Sequence, residues 1–206
     1  MYFKSTFSIV FAVGVFIVSP VYAETDAQLL TKGQWHDPAT GLVWMRCSVG
    51  QKWTGKACTG EPTKFTWQKA LDVVAALSWS GGLAGRTDWR VPAIEELSTL
   101  RKCSKGWRRE TEDDKTTVEG QVATEGNIAT EELPNGQSVP SSCAEGSSSP
   151  TLNTATFPNT KSVGYWTSTP DATLRSYAKV VLFSSGTVGS GDKSYDGYVR
   201  LVRTGQ

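Results

Sequence analysis

The chain has 206 residues, with 21 Lys and Arg against 20 Asp and Glu, a formal net charge of +1 and one histidine. That balance lacks the basic excess that neutralising a phosphate backbone demands, which argues against nucleic acid as a partner. Four cysteines without a Cys-x-x-Cys pair, beside the single His36, also lack the ligand spacing of a zinc site.

In chain order, the first 23 residues read as a cleavable signal peptide. Lys4 is the positive n-region, Phe7 to Val18 the apolar run, and Val21-Tyr22-Ala23 the segment before the cut. The apolar run is 12 residues long, short of the roughly 20 that a spanning helix needs, and no later segment is apolar enough to span. Removing these 23 residues from 206 leaves 183, from Glu24 to Gln206, carrying 20 basic and 20 acidic groups. That length suits one domain with a sizeable core. An exported chain with four cysteines predicts two disulfides. Of the three possible connectivities we favour Cys47–Cys58 and Cys103–Cys143, because each pair brackets a polar, Gly-rich loop that a bridge would tie down.

After a short polar lead over 24–30, Asp37-Pro38-Ala39-Thr40-Gly41 predicts a tight turn, and Leu42 to Met45 a short apolar strand. The stretch from Cys47 to Pro62 reads as a surface loop. Thr66 is placed to cap a helix from Trp67, whose Ala70, Leu71, Val74 and Leu77 form one stripe and which Gly81-Gly82 ends. A second helix is predicted near Pro92, with Glu95 and Glu96 in its first turn and Ile94, Leu97 and Leu100 inward. Ser104 to Ser149 is polar and aperiodic, and is expected to be an inserted or functional loop. Strands return at Gly164 to Thr169, Tyr177 to Phe183 and Tyr198 to Arg203, with Gly186, Gly189, Gly191 and Gly197 marking the connection between the last two. Two early helices and a late antiparallel sheet predict an α+β domain over 24–206, with its insert at about 104–149.

Several of these segments occur in a telling order: Asp37 to Trp44, the Trp67 to Leu77 helix, Gly85-Arg86-Thr87-Asp88-Trp89-Arg90-Val91-Pro92 with Glu95-Glu96-Leu97, then Phe157-Pro158-Asn159-Thr160, Tyr165 to Pro170, and Tyr198 to Arg203. Together they resemble the family named after the C-terminal domain of the Legionella collagen-like adhesin. The resemblance implies a C-type-lectin-like, formylglycine-generating-enzyme-like fold, with two helices and a small antiparallel sheet between long loops. It also implies an exported or cell-surface bacterial setting, and for the founding adhesin binding of sulfated glycosaminoglycans. Two departures weaken trimeric, multivalent adhesion here: no collagen-like repeat is present, and the stretch 104–149 is longer than the resemblance leads one to expect.

Arg101, Lys102, Lys105, Trp107, Arg108 and Arg109 form the densest basic cluster, a candidate site for an anionic polysaccharide, since guanidinium forks match sulfate and carboxylate. The plainer alternative is that Glu110, Glu112, Asp113 and Asp114 neutralise it on a solvated loop. Asp88, Trp89, Arg90, Trp166 and Arg200 look like the family's signature and are expected to serve the core, with Arg90 and Arg200 paired to Asp88, Glu95 or Glu96. Glu61-Pro62-Thr63 lacks the amide a calcium-dependent sugar site would use, so no metal or other cofactor is expected. No residue near His36 marks a nucleophile, and the cysteines should be oxidised, so catalysis is not expected. The sequence therefore points to an exported, non-enzymatic binding module in the periplasm, secreted, or at the cell surface. A structural, pilus- or assembly-associated subunit that binds another envelope protein is the alternative.

Overall fold

A computed structural model describes residues 24–111 and 127–205. The signal-peptide reading and residues Glu112, Asp113 and Asp114 lie outside the described residues.

The polar lead is in fact a helix, α1 (Asp26–Thr31). Thr25 Oγ1 accepts from the Gln28 N–H while the Gln28 side chain accepts from the Thr25 N–H, a reciprocal cap, and Leu29 is buried. Strand β1 (Gln34–His36) follows, then the expected turn. There the Asp37 carboxylate accepts from the Ala39 N–H and the Thr40 hydroxyl, and the chain enters β2 (Leu42–Met45). Between Cys47 and Pro62 a two-stranded hairpin, β3 (Lys52–Trp53) and β4 (Cys58–Thr59), replaces the featureless loop expected there.

Helix α2 (Trp67–Trp79) starts where predicted, although the Thr66 side chain makes no capping bond, and it gives way at Ser80 to Gly81 and Gly82. Helix α3 (Ile94–Thr99) is capped by Glu96, whose carboxylate accepts from the Ala93 N–H. The stretch 104–149 is not without elements, for its described part holds a hairpin of β5 (Thr130–Glu132) and β6 (Ser138–Pro140) around Asn135-Gly136. Strands β7 (Gly164–Pro170), β8 (Tyr177–Leu182) and β9 (Thr187–Asp192) form an antiparallel sheet with β8 central. Strand β9 corrects the reading of its glycines as a connection. Gly191 sits in register against Ala178, and a side chain there would press on the Trp166 ring. Only the end of the last expected strand is regular, as β10 (Val202–Thr204) paired to β2.

Residues 198–204 join the two larger sheets: Tyr198 bridges β7 in parallel, and Val202 pairs with both β2 and Arg90. Side-chain alternation along these strands then divides the interior in two. Trp44, Tyr165, Val181, Tyr198 and Val202 pack with Ile94, Leu97 and Leu100 of the α3 segment. Their neighbours Val43, Trp166, Ala178, Val199 and Leu201 pack instead with Ala70 and Val74 of α2. The architecture is thus mixed α and β, with three short helices rather than two and four small antiparallel sheets rather than one among the described residues. Both disulfides have the favoured pairing, Cys47–Cys58 and Cys103–Cys143, with Cα atoms 5.4 and 5.2 Å apart. No described helix is long and apolar enough to cross a membrane.

Candidate functional site

The basic segment leaves α3 and opens the 104–149 stretch, where three kinds of tie fix its path. Cys103 is bonded to Cys143. The Arg108 N–H donates to the Ser142 carbonyl, and the Arg108 carbonyl accepts from Ala129. Glu110 N–H donates to the Asn127 carbonyl, next to an Arg109–Ile128 bridge.

Arg101 is the third tie, and it departs from the sequence expectation. Its side chain is turned inward, the residue is only 7% exposed, and it lies 4.8 Å over the Trp107 ring. Its Nε donates to the Ser98 carbonyl, and one Nη donates to the carbonyls of Pro140 and Gly186, at 2.7 and 2.8 Å. Burial pulls its pKa down to about 10, which still leaves it charged at neutral pH. Arg101 is therefore a clamp joining the end of α3, β6 and the turn before β9, and one face of Trp107 is already covered.

The rest of the segment faces outward. Lys102, Lys105 and Arg109 are exposed, and Arg108 is half-buried. Arg108 and Arg109 are each engaged in a further interaction of their own. Lys102 and Lys105 have no carboxylate partner among the described residues. The chemistry left for a ligand is thus the two ammonium groups of Lys102 and Lys105 and part of the Trp107 indole, on a pinned backbone beside the already engaged Arg108 and Arg109.

Of the signature residues, Trp89, Trp166 and Arg200 are buried, Arg90 is half-buried, and Asp88, against the expectation of a core role, is exposed. Arg90 grips Glu96 with two bonds of 2.6 Å, as expected. Burial pushes the Glu96 carboxyl up, but the bonds from Arg90 and the Ala93 N–H hold it below the usual carboxylate range. Asp88 pairs with Arg86 instead, and Glu95 accepts from Asn135. Arg200 has no acid partner among the described residues. It is wholly buried, donating to the carbonyls of Met45 and Arg46 and to Thr160 Oγ1, with Phe157 4.6 Å below it. Burial pulls its pKa down to about 10. The indole N–H groups of Trp89 and Trp166 donate to the carbonyls of Leu83 and Phe65.

His36 sits 3.1 Å from Asp26. Among the described residues no three His, Cys, Asp or Glu side chains gather in a way that would hold a metal ion. One feature was absent from the sequence reading: a cleft of about 560 Å³ between the Cys47–Trp53 stretch and the end of α2. Its walls are separated by tens of residues, so no local motif announces it.

A family model described as the Lcl C-terminal domain matches residues 33–203, from just before β1 into β10, taking in both disulfides and the basic segment. No curated protein and no solved structure matches the chain. A match over that span settles kinship: the chain belongs to the Lcl C-terminal domain family and is an adhesin-related module.

Proposed function

We propose that the processed chain is an exported, non-enzymatic, lectin-like binding module that recognises anionic polysaccharide at the cell envelope or a host surface. The contact surface is Lys102, Lys105, Trp107, Arg108 and Arg109. The observation that carries this reading is the pinning of that segment by the Cys103–Cys143 disulfide and the buried Arg101 clamp. Exposed cations on a pre-set backbone lose less conformational freedom when they close on sulfate or carboxylate groups. The two disulfides support an oxidising compartment, periplasmic or extracellular.

Retention of the processed chain on immobilised heparin tests this. Replacing Lys102 and Lys105 with Ala, and separately Arg108 and Arg109, should lower the eluting salt concentration. Unchanged retention by both folded double variants would remove the site. One observation favours the alternative of a structural or assembly-associated subunit: Trp79, at the end of α2, is 90% exposed, the kind of side chain that anchors protein interfaces. Recovery of an envelope protein, and no glycan, in a matched pull-down would favour that reading.

A further inference from the structure

The cleft beside the first disulfide lies away from the basic segment. Its volume of about 560 Å³ falls within the range of small-molecule sites. Its body is apolar, made by Met45, Val49, Trp53, Leu77, Leu83 and Leu201, and it carries two lysines, Lys32 and Lys52, but no carboxylate.

What the cleft could hold is decided by which polar groups remain unused. The Gln51 amide oxygen accepts from the Ser48 N–H, and its NH2 donates to the carbonyls of Gly60 and Asn159. Ser48 Oγ is shared between the Tyr165 hydroxyl and Arg200. The Trp53 indole N–H donates to the Thr31 carbonyl, and the Arg46 guanidinium lies 4.3 Å over its ring. Lys32 is paired with Glu24. Of the charged side chains lining the cleft, the exposed Lys52 ammonium on β3 is the one left without a carboxylate partner among the described residues. A sugar entering here would find one uncommitted side-chain donor, Lys52, for its several hydroxyls, and a peptide the same for its amides, each at a cost. A hydrocarbon chain buries nothing polar.

From this the geometry points to a second binding site, for a small amphiphile: an alkyl chain in the cleft and one carboxylate at Lys52. Binding of straight-chain carboxylates to the processed chain, measured by titration calorimetry below their micellar concentrations, tests it. Octanoate, decanoate and dodecanoate should each bind at one site, tightening about fourfold per added methylene until the cleft is full. Lys52→Glu, at an exposed position, should weaken decanoate about tenfold and leave decanol unchanged. Leu83→Gln should weaken both. Absence of saturable uptake, affinity independent of chain length, or undiminished binding by Leu83→Gln would overturn the assignment. So would competition by an apolar peptide without any uptake of the carboxylates, which would make the cleft a protein contact. Leu83→Gln should leave heparin retention unchanged, so this site and the basic segment stand or fall separately.

Discussion

Replacing Arg200 by Met tests the least expected feature of the core, a guanidinium buried without an acid partner among the described residues. Met roughly fills the space of the side chain stem but donates nothing, so Met45 O, Arg46 O and Thr160 Oγ1 all lose a donor, while Ser48 Oγ, at a marginal 3.5 Å, keeps its bond with Tyr165. Hydrogen bonds from a charged donor contribute about 1.5–3 kcal/mol each, and orphaned buried acceptors cost about 1–3. Against this, the variant no longer has to strip a cation of water, an effect visible in the lowered pKa of Arg200. Three lost bonds less that relief leave a destabilisation of about 3–5 kcal/mol. For a chain of this size that corresponds to a fall in Tm of about 10 °C. Urea unfolding of the oxidised protein, followed by tryptophan fluorescence, gives the number directly, and Arg200→Lys should fall between the two because one ammonium cannot reach all three acceptors. A Met variant within about 1 kcal/mol of the parent would show that the carbonyls are satisfied without Arg200 and would refute the argument.

Three further outcomes are expected. Loss of the Cys103–Cys143 bridge, which closes a separation of 40 residues, should destabilise by about 4 kcal/mol in the chain-entropy picture, against about 3 for Cys47–Cys58 at 11; equal losses in paired urea curves would contradict it. The Asp171 carboxyl is held well below its usual pKa by the Ser190 hydroxyl, then by the Leu174 and Thr173 N–H groups. Because the folded-state value is depressed, its contribution is complete at neutral pH and is lost as the pH falls below about 4 toward that value, so Asp171→Asn should be less stable at pH 7 and converge on the parent in acid. A constant gap in melts from pH 7 to 2 would count against this. Gly186 has φ +69 and faces the Cys143 sulfur and Thr151, so Gly186→Ala should cost at least about 2 kcal/mol in the same assay, and a neutral result would mean the turn yields freely.

Local patterns carried far in this chain. The Ala70 and Val74 spacing announced the inward face of α2, Ile94 and Leu97 that of α3, and the disulfide pairing followed from which loops needed closing. Two elements were written locally but passed over. Thr25 and Gln28 stand three apart, the reciprocal cap of α1, and Asn135-Gly136 marks the turn between β5 and β6. Gly191 of β9 is misleading in sequence because it serves packing against Trp166 rather than reversal of the chain. Depth was the quantity a linear reading lacked. Arg101 looks like its cationic neighbours in sequence, yet two carbonyls from distant segments draw it inside, and the acceptors around Arg200 come from positions up to 155 residues away.

The hydrogen bond from Glu110 to Asn127 also has a practical side. Where two backbone positions meet so closely, the length of what is spliced between them hardly matters to the scaffold, since doubling a connecting loop costs only about 0.6 kcal/mol. An epitope, a protease site or a small reporter grafted at that junction would therefore be carried as cargo on an oxidised frame.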